Sequence, residues 1–235
     1  MRASNHGELG LIVLSSCKEL GRLVDERILQ LRAEEDDDKS YLFPIEEVRF
    51  SNGEGKIKLL DSVRGKDIYI LCDVGNYSCE YTMFGRNHCM GPDEHFQDIK
   101  RVLSAIGGKA DRVTVIMPLL YASRQHKRKG RESLDCAMAL KELENLGVHA
   151  ILTFDVHDPT IHNAIPGTSF ENILPTYSML KCFIANEGAN IKKDNMTVIS
   201  PDTGAMDRAI YYANTLGVDV GMFYKRRDHT VVVHG

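Results

Sequence analysis

Apolar runs alternate with helically spaced segments along most of the chain. An apolar run at residues 10–16 precedes residues 17–35, where Leu, Val and Ile recur at the spacing of one helix face. Later apolar runs predict further strands, at residues 67–73, 111–120, 148–157, 195–202 and 218–225. Helical patterns separate them, at residues 93–108, 132–147, 174–188 and 204–217. Mostly apolar strands are typical of a parallel sheet covered by helices on both faces, so the pattern predicts an α/β, doubly wound, mostly parallel sheet.

Two segments interrupt this alternation. Residues 45–50 and 56–60 flank the turn sequence Ser51-Asn52-Gly53-Glu54 and predict a β-hairpin near residues 45–60. Residues 74–92 carry Gly, Asn and Pro and predict a loop.

Polar groups follow several of the predicted strands, where doubly wound folds bind their ligands. Asp155 and His157 lie two residues apart at the end of one strand, and period two places them on the same side. A carboxylate and an imidazole there can hold a divalent cation, directly or through water. A capping aspartate and a surface histidine explain the same pair, so both interpretations stay open.

Asp202 lies in Ser200-Pro201-Asp202-Thr203-Gly204, between a predicted strand and a predicted helix. Such a residue usually caps the helix that follows it. Alternatively, it offers a metal carboxylate beside the N–H groups of a helix N-terminus, which suit a phosphate. The segment alone leaves both functions open.

Cations cluster after two of the strands. They form a basic loop, Arg124, Lys127, Arg128, Lys129 and Arg131, and a run near the end, Lys225-Arg226-Arg227. Charge runs usually mark a solvated face, but an Arg-Gln pair such as Arg124-Gln125 can contact both phosphate and a nucleobase edge. Beside Asp155, His157 and Asp202, these cations indicate metal-assisted phosphate chemistry. Neither GxxxxGK[ST] nor GxGxxG occurs, which argues against a P-loop enzyme and a Rossmann dehydrogenase.

Composition narrows the function classes. The 235 residues carry a net charge of −4, which argues against a general nucleic-acid binder. No apolar run approaches the roughly 20 residues of a membrane span, and the N-terminus lacks a signal-peptide pattern. We therefore expect a cytoplasmic protein with neither nucleic acid nor membrane as a partner.

Three of the six cysteines crowd one region with two histidines. These residues are Cys72, Cys79, His88, Cys89 and His95. A zinc site is conceivable, but the spacings fit no zinc module, and free thiols in a reducing cytosol are the better interpretation.

Five segments, in order and with matching spacing over roughly residues 40–230, resemble the ribose-phosphate diphosphokinases, also called phosphoribosyl pyrophosphate synthetases. The first is Phe50–Glu54 together with Val63–Asp67. YASRQHKR at 121–128 is similar to the family's Tyr-Ala-Arg-Gln-Asp-Arg loop, and LTFDVHDPTIH at 152–162 to its Asp-Leu-His-Ala segment. VISPDTGAMDRA at 198–209 is similar to its Ser-Pro-Asp-x-Gly-Gly segment, and YKRRDH at 224–229 to the start of its flexible catalytic loop.

The resemblance implies a phosphoribosyltransferase-like fold and a Mg²⁺-dependent reaction. The anomeric hydroxyl of ribose 5-phosphate attacks the β-phosphorus of ATP, giving phosphoribosyl pyrophosphate and AMP. Because the family shares its site between subunits, a homo-oligomer is also implied, commonly dimers arranged as a hexamer.

The same resemblance assigns roles by matching position. It assigns ATP binding to Arg124, Gln125 and His126, and contact with the adenine end of ATP in a neighbouring subunit to Phe50, Asn52 and Glu54. It assigns Mg²⁺–ATP to His157 and Asp202. It assigns catalysis to Lys225, Arg227 and His157, with the two cations stabilising the pyrophosphoryl transition state.

The chain also departs from the family pattern. An extra Ser123 sits inside the Tyr-Ala-Arg-Gln motif, and His126 stands where the family usually has Asp. Thr203 and Ala205 alter the Asp-x-Gly-Gly stretch, and the long 74–92 segment is unusual. None of these changes removes a principal cation, the metal-side Asp or the His.

The family's ribose 5-phosphate loop, of the type Val-Asp-Asp-x-x-x-Thr-Gly-Gly-Thr, does not occur in the 235 residues. We therefore expect residues 1–220 to form the N-terminal α/β domain, and residues 221–235 to begin the flexible loop and a truncated second domain. The leading hypothesis is an N-terminal portion of the enzyme, with little or no turnover by itself. A non-catalytic regulatory subunit that binds nucleotide and oligomerises, and a generic phosphate-binding module, are the alternatives.

Overall fold

The computed structural model describes residues 7–32, 39–188, 191–192 and 194–225. The chain divides into two compact units, Met1–Leu174 and Pro175–Gly235. The strands are β1 (Glu8–Val13), β2 (Ile45–Arg49), β3 (Gly55–Leu59), β4 (Lys66–Leu71), β5 (Glu80–Met83), β6 (Arg86–Cys89), β7 (Arg112–Met117), β8 (Ala150–Phe154), β9 (Ser169–Ile173), β10 (Thr197–Ser200) and β11 (Asp219–Met222). The α-helices are α1 (Lys18–Arg32), α2 (Pro92–Ile106), α3 (Asp135–Asn145), α4 (Thr176–Glu187) and α5 (Met206–Leu216).

A parallel sheet with the strand order β1-β4-β7-β8-β9 forms the centre of the first unit. Alternate residues of its strands point to opposite faces. Ile12 and Ile70 pack on one face with α2 and α3. Their neighbours Leu11 and Leu71 pack on the other face with α1. Helices on both faces confirm the predicted α/β, mostly parallel fold, and the sheet brings the carboxyl ends of β7 and β8 side by side.

The edge strand β9 is missing from the sequence-based prediction. Its sequence, SFENI, alternates exposed and half-buried positions instead of forming an apolar run. Because β9 pairs with β8 on one side only, its sequence needs no continuous apolar stretch.

Two antiparallel hairpins flank the sheet. β2 and β3 form the hairpin predicted near residues 45–60. β5 and β6 form a second hairpin inside the segment that was predicted to be a loop. Its two-residue turn is Phe84-Gly85, with φ of 47° and 76°. Positive φ at both positions is typical of a type I′ turn, whose twist matches that of the flanking strands. An aromatic residue at the first position is uncommon.

The second unit contains α4, β10, α5 and β11. β10 and β11 pair in parallel, and Ala209 and Ala213 of α5 are buried in this unit. From the sequence, the N-terminal domain is expected to end at residue 220, where the catalytic loop would begin. This boundary stays a prediction. Across the described residues, no helix combines the length and the apolar character that crossing a bilayer requires.

Candidate functional site

The loop after β7 is built from two successive tight turns. Ser123 donates its backbone N–H to the carbonyl of Leu120 at 3.3 Å, and Gln125 donates to that of Ala122 at 2.8 Å. Ala122 has a φ of 52°, a conformation that costs a residue with a side chain about 1 kcal/mol. The side chains of Arg124 and Gln125 are exposed. The turns therefore present two of the three predicted ATP ligands of this loop to solvent, and His126 is half-buried.

The next strand, β8, ends at Phe154, earlier than predicted. Asp155 follows with a φ of 48° and donates its N–H to the carbonyl of Ile173 at 3.1 Å. Period-two alternation does not extend past the end of a strand, so the predicted same-side placement of Asp155 and His157 loses its basis. His157 itself is exposed at the carboxyl end of the sheet.

Asp158 joins the segment after β8 to the loop after β7. Its Oδ2 lies 2.6 Å from Nζ of Lys127 and 3.2 Å from Nε2 of His126. Its Oδ1 accepts hydrogen bonds from the amide and hydroxyl of Thr160, at 2.9 and 2.7 Å. The bond from Lys127, and then those from Thr160, hold the pKa of the Asp158 carboxyl well below its usual range. Asp158 is thus an ionised group that clamps two segments together.

His126 lies at the centre of this cluster. Its Nδ1 lies 3.1 Å from the carbonyl oxygen of Ser123, and its Nε2 faces Asp158. Its ring meets that of His157 edge-on, with centroids 5.1 Å apart. The structure therefore brings together two residues predicted for the site, His126 and His157, and places Arg124 and Gln125 on the same loop.

Tyr121 fixes the start of the loop to α2. Its ring stacks on Phe96 with centroids 4.3 Å apart, and its hydroxyl donates to Oδ1 of Asp93 at 2.7 Å. Burial, and next the neighbouring Asp93, raise the pKa of Tyr121 to about 12. The loop is therefore anchored at Tyr121 and again at Lys127.

The turn at residues 50–54 holds the predicted adenine contacts. The amide of Phe50 donates to Glu54 O at 2.8 Å, and that of Glu54 donates to Asn52 Oδ1 at 3.1 Å. Phe50 is 46% exposed, and Asn52 and Glu54 are exposed. Among the described residues, the hydrogen bonds of this turn stay within it or reach β5–β6, so none joins it to the loop at 121–128 of the same chain.

Asp202 lies in the second unit, at the end of β10. Its Oδ1 accepts from the amides of Gly204 at 3.0 Å and Ala205 at 3.2 Å, so it caps a short 3₁₀ helix before α5. Its Oδ2 lies 3.9 Å from Nζ of Lys225, whose side chain is 57% exposed. The capping interpretation is confirmed, while the second oxygen faces a cation. The other predicted catalytic cation, Arg227, lies outside the described residues.

The cysteines of the 72–89 region do not converge. Cys72 is fully buried in the core, and burial raises the pKa of its thiol. Cys89 of β6 is exposed and its thiol donates to Oε1 of Glu80 at 3.5 Å, whereas Cys79 is half-buried just before β5. No group of three or more His, Cys, Asp or Glu side chains suited to a metal ion occurs in the part of the chain that the structure describes.

Asp158 is the site residue that the sequence-based assignment lacks. The family's segment has Ala at this position, so matching by position passes over it. A local signal for Asp158 was nevertheless present in the sequence. Asp-Pro-Thr is a helix-start sequence, and Asp158 caps the 3₁₀ helix Pro159–Ala164.

Comparison with known proteins gives a consistent family. A family model described as the N-terminal domain of ribose phosphate pyrophosphokinase matches residues 9–147. Ribose-phosphate pyrophosphokinases from Ralstonia nicotianae and Oceanobacillus iheyensis are 28% and 27% identical over 183 residues, which is 76% of this chain and 51% of each relative. The chain thus spans about half the length of the curated relatives it matches.

The fold has a counterpart among solved structures. The crystal structure of phosphoribosylpyrophosphate synthetase from Mycobacterium smegmatis superposes with a TM-score of 0.73 at 23% identity, covering 94% of this chain and 65% of that one. At this identity the match supports the fold.

Proposed function

Because the chain belongs to the ribose-phosphate pyrophosphokinase family, whose N-terminal domain matches residues 9–147, we propose that it supplies the nucleotide side of pyrophosphoryl transfer. In this reaction the pyrophosphoryl group of ATP passes to the C1 hydroxyl of ribose 5-phosphate, giving phosphoribosyl pyrophosphate and AMP. The observation that carries the proposal is the meeting of the loop at 121–128 with His157 beyond the carboxyl ends of β7 and β8.

The loop suits the triphosphate of ATP. The side chain of Arg124 is exposed and makes no ion pair with described residues, so its guanidinium is available for bidentate contact with phosphate. The ion pair with Asp158 holds the ammonium group of Lys127 in place, three residues after Arg124. Gln125 can accept and donate at a nucleobase edge or a ribose hydroxyl.

Lys225 and Arg227 are proposed to stabilise the transferring group. The anomeric oxygen forms a bond to the β-phosphorus, while the bond from that phosphorus to the oxygen linking it to the α-phosphorus breaks and AMP leaves. Negative charge spreads over the phosphate oxygens in this step, and cations placed there lower the barrier. Lys225 is suited to the role because its contact with Asp202, at 3.9 Å, is long and exposed.

Of the two residues proposed to hold Mg²⁺, Asp202 suits a direct contact better than His157 does. Asp202 keeps Oδ2 outside its capping bonds, and carboxylate oxygen is a preferred Mg²⁺ ligand. His157 is exposed and suits a water-mediated contact better than a direct one. When bound, Mg²⁺ would neutralise part of the phosphate charge of ATP.

The turn at 50–54 is proposed to receive the adenine of an ATP molecule held by a neighbouring subunit. The half-exposed ring of Phe50 offers a stacking surface, and Asn52 and Glu54 offer polar groups. This role requires a homo-oligomer. Both the assembly and the cytoplasmic location stay predictions.

The reaction is tested by product analysis. A form of the protein that includes the family's ribose 5-phosphate loop, given Mg²⁺, ATP and ribose 5-phosphate, is expected to form AMP and phosphoribosyl pyrophosphate, measured by ³¹P NMR. Lys225→Ala is expected to lower the rate by about 100-fold or more, whereas Lys181→Ala, which alters an exposed lysine of α4, leaves it unchanged. ADP as the nucleotide product would contradict the proposal.

The 235 residues by themselves are expected to turn over little, because the family's ribose 5-phosphate loop is not among them. AMP formation by this polypeptide from ATP and ribose 5-phosphate, at a rate abolished by Lys225→Ala, would overturn that expectation while supporting the reaction.

A further inference from the structure

The tip of the β5–β6 hairpin contacts the turn at residues 50–54. The amide of Phe84 donates to Ser51 O at 2.9 Å. Gly53, with a φ of 90°, lies beneath the hairpin, because a Cβ there would be 2.8 Å from Met83 Sδ and 3.3 Å from the Tyr81 hydroxyl. The positive φ favours glycine at position 53, and a side chain there would also displace Met83.

The base of the same hairpin is fixed to the start of α2. The hydroxyl of Tyr81 donates to Oε1 of Glu94 at 2.6 Å, and Nε2 of His88 lies 3.1 Å from Oε2. The amide of Gly91 also donates to this carboxylate, at 2.9 Å. Burial opposes ionisation of Glu94, but the hydrogen bonds outweigh it and lower the pKa of the carboxyl. The guanidinium of Arg49, on β2, lies 5.3 Å from the Tyr81 ring.

These contacts make β5–β6 a bridge from α2 to the turn. A two-stranded hairpin is marginally stable alone, and the turn at 50–54 projects from one. Within the turn, the amide of Gly53 bonds to Phe50 O and that of Glu54 to the side chain of Asn52. Support from outside therefore comes from the hairpin that covers Gly53.

We propose that the β5–β6 hairpin holds the 50–54 turn in the conformation that presents Phe50, Asn52 and Glu54 to the adenine, with Phe84 as the positioning residue. The inference rests on the proposed function for the role of the turn, and on the contacts above for the role of the hairpin. Phe84 acts through its amide, since its side chain is 75% exposed.

Two substitutions at one position separate the amide from the ring. Proline has no N–H and fixes φ near −65°, so Phe84→Pro removes the bond to Ser51 and disfavours the observed φ of 47°. Phe84→Gly removes the ring, keeps the amide and suits a positive φ. The glycine variant is the matched control for the proline variant.

The test measures Mg²⁺–ATP affinity of the intact protein by calorimetry, together with hydrogen exchange at the amides of Gly53 and Glu54. Phe84→Pro is expected to weaken ATP binding about three- to tenfold, as the loss of one hydrogen bond would, and to speed both exchange rates. Phe84→Gly is expected to change neither readout. Phe50→Ala is expected to weaken ATP binding without changing the exchange.

The outcomes distinguish the two hypotheses. Weaker binding in Phe50→Ala but unchanged binding in Phe84→Pro would overturn the role of the hairpin, as would an equal loss in the Phe84→Gly and Phe84→Pro variants. Unchanged binding in Phe50→Ala would instead overturn the assignment of the turn to adenine. Met83→Ala, which removes the sulfur over Gly53 and leaves the backbone intact, is expected to weaken binding about twofold and keeps the test decisive if Phe84→Pro disturbs folding.

Discussion

Asp158 and His126 are two positions at which this chain differs from the family pattern. The family pattern has Asp where this chain has His126, and Ala where it has Asp158. The two side chains contact each other at 3.2 Å. In this chain the carboxylate at the contact between the loop and the segment after β8 therefore belongs to the segment after β8.

Removing Asp158 is expected to release the loop. Asp158→Ala leaves Lys127 and His126 without their anchor, so Mg²⁺–ATP affinity should fall about three- to tenfold, as measured by calorimetry. His126→Asp places two carboxylates together and should also weaken binding. The double variant His126→Asp with Asp158→Ala restores the family arrangement and should bind more tightly than either single variant. If the losses of binding free energy in the two single variants simply add in the double variant, this account is contradicted.

Tyr121 gives the fold a dependence on alkaline pH. Its pKa in the folded chain is raised to about 12, so its contribution to stability is complete below the ordinary tyrosine pKa of about 10 and is lost as the pH rises towards 12. After allowance for solvent screening, the free energy of unfolding should fall by about 1 kcal/mol across this window.

Urea unfolding at pH 8, 10 and 11 measures this dependence. Tyr121→Phe should show a shallower decline than the wild type, whereas Tyr177→Phe, at an exposed position, should follow the wild type. A decline of the same slope in Tyr121→Phe would rule out Tyr121 as its source.

Among the secondary-structure elements, β2 and α2 are joined by a buried charge cluster. Asp98 of α2 is 5% exposed and pairs with Arg49 of β2, and its Oδ1 accepts from Nη1 of Arg101 at 2.6 Å. Gly55, opposite Arg49 in the hairpin, has no side chain to obstruct the two guanidinium groups. The base of the β2–β3 hairpin is therefore held by charge as well as by its apolar residues.

Asp98→Ala is expected to lower the free energy of unfolding by about 3 kcal/mol, because it leaves two partly buried cations unpaired. Glu142→Ala removes the exposed partner of Lys100 and is expected to cost less than about 1 kcal/mol. Chemical denaturation of both variants provides the comparison. Losses of equal size would show that burial of Asp98 does not govern its contribution.

The sheet strands that sequence patterns predicted are those with a mostly apolar sequence, whereas the β2–β3 hairpin was predicted from its turn residues. β4, β7 and β8 are central strands with buried residues on both faces, so their sequences are mostly apolar. β9 lies at an edge, and β5 and β6 are short and largely exposed. None of these three strands therefore has a mostly apolar sequence. Asp158 was not predicted because a contact between two loops depends on tertiary placement, whereas Asp202 was predicted because capping is local.

For the whole molecule, the distribution of charge matters more than its total. The net charge is −4, yet the loop after β7 concentrates cations beside a strand end. Such a pattern favours a small polyanion held at one place over a long nucleic acid.

Nucleotide binding by the 235-residue chain tests the central claim most directly. Calorimetric titration with Mg²⁺–ATP should give a dissociation constant below about 1 mM. Arg124→Ala should weaken binding about tenfold or more, whereas Arg27→Ala, in the middle of α1, should leave it unchanged. No detectable binding, or equal binding by Arg124→Ala and the wild type, would contradict the assignment of the loop at 121–128 to ATP.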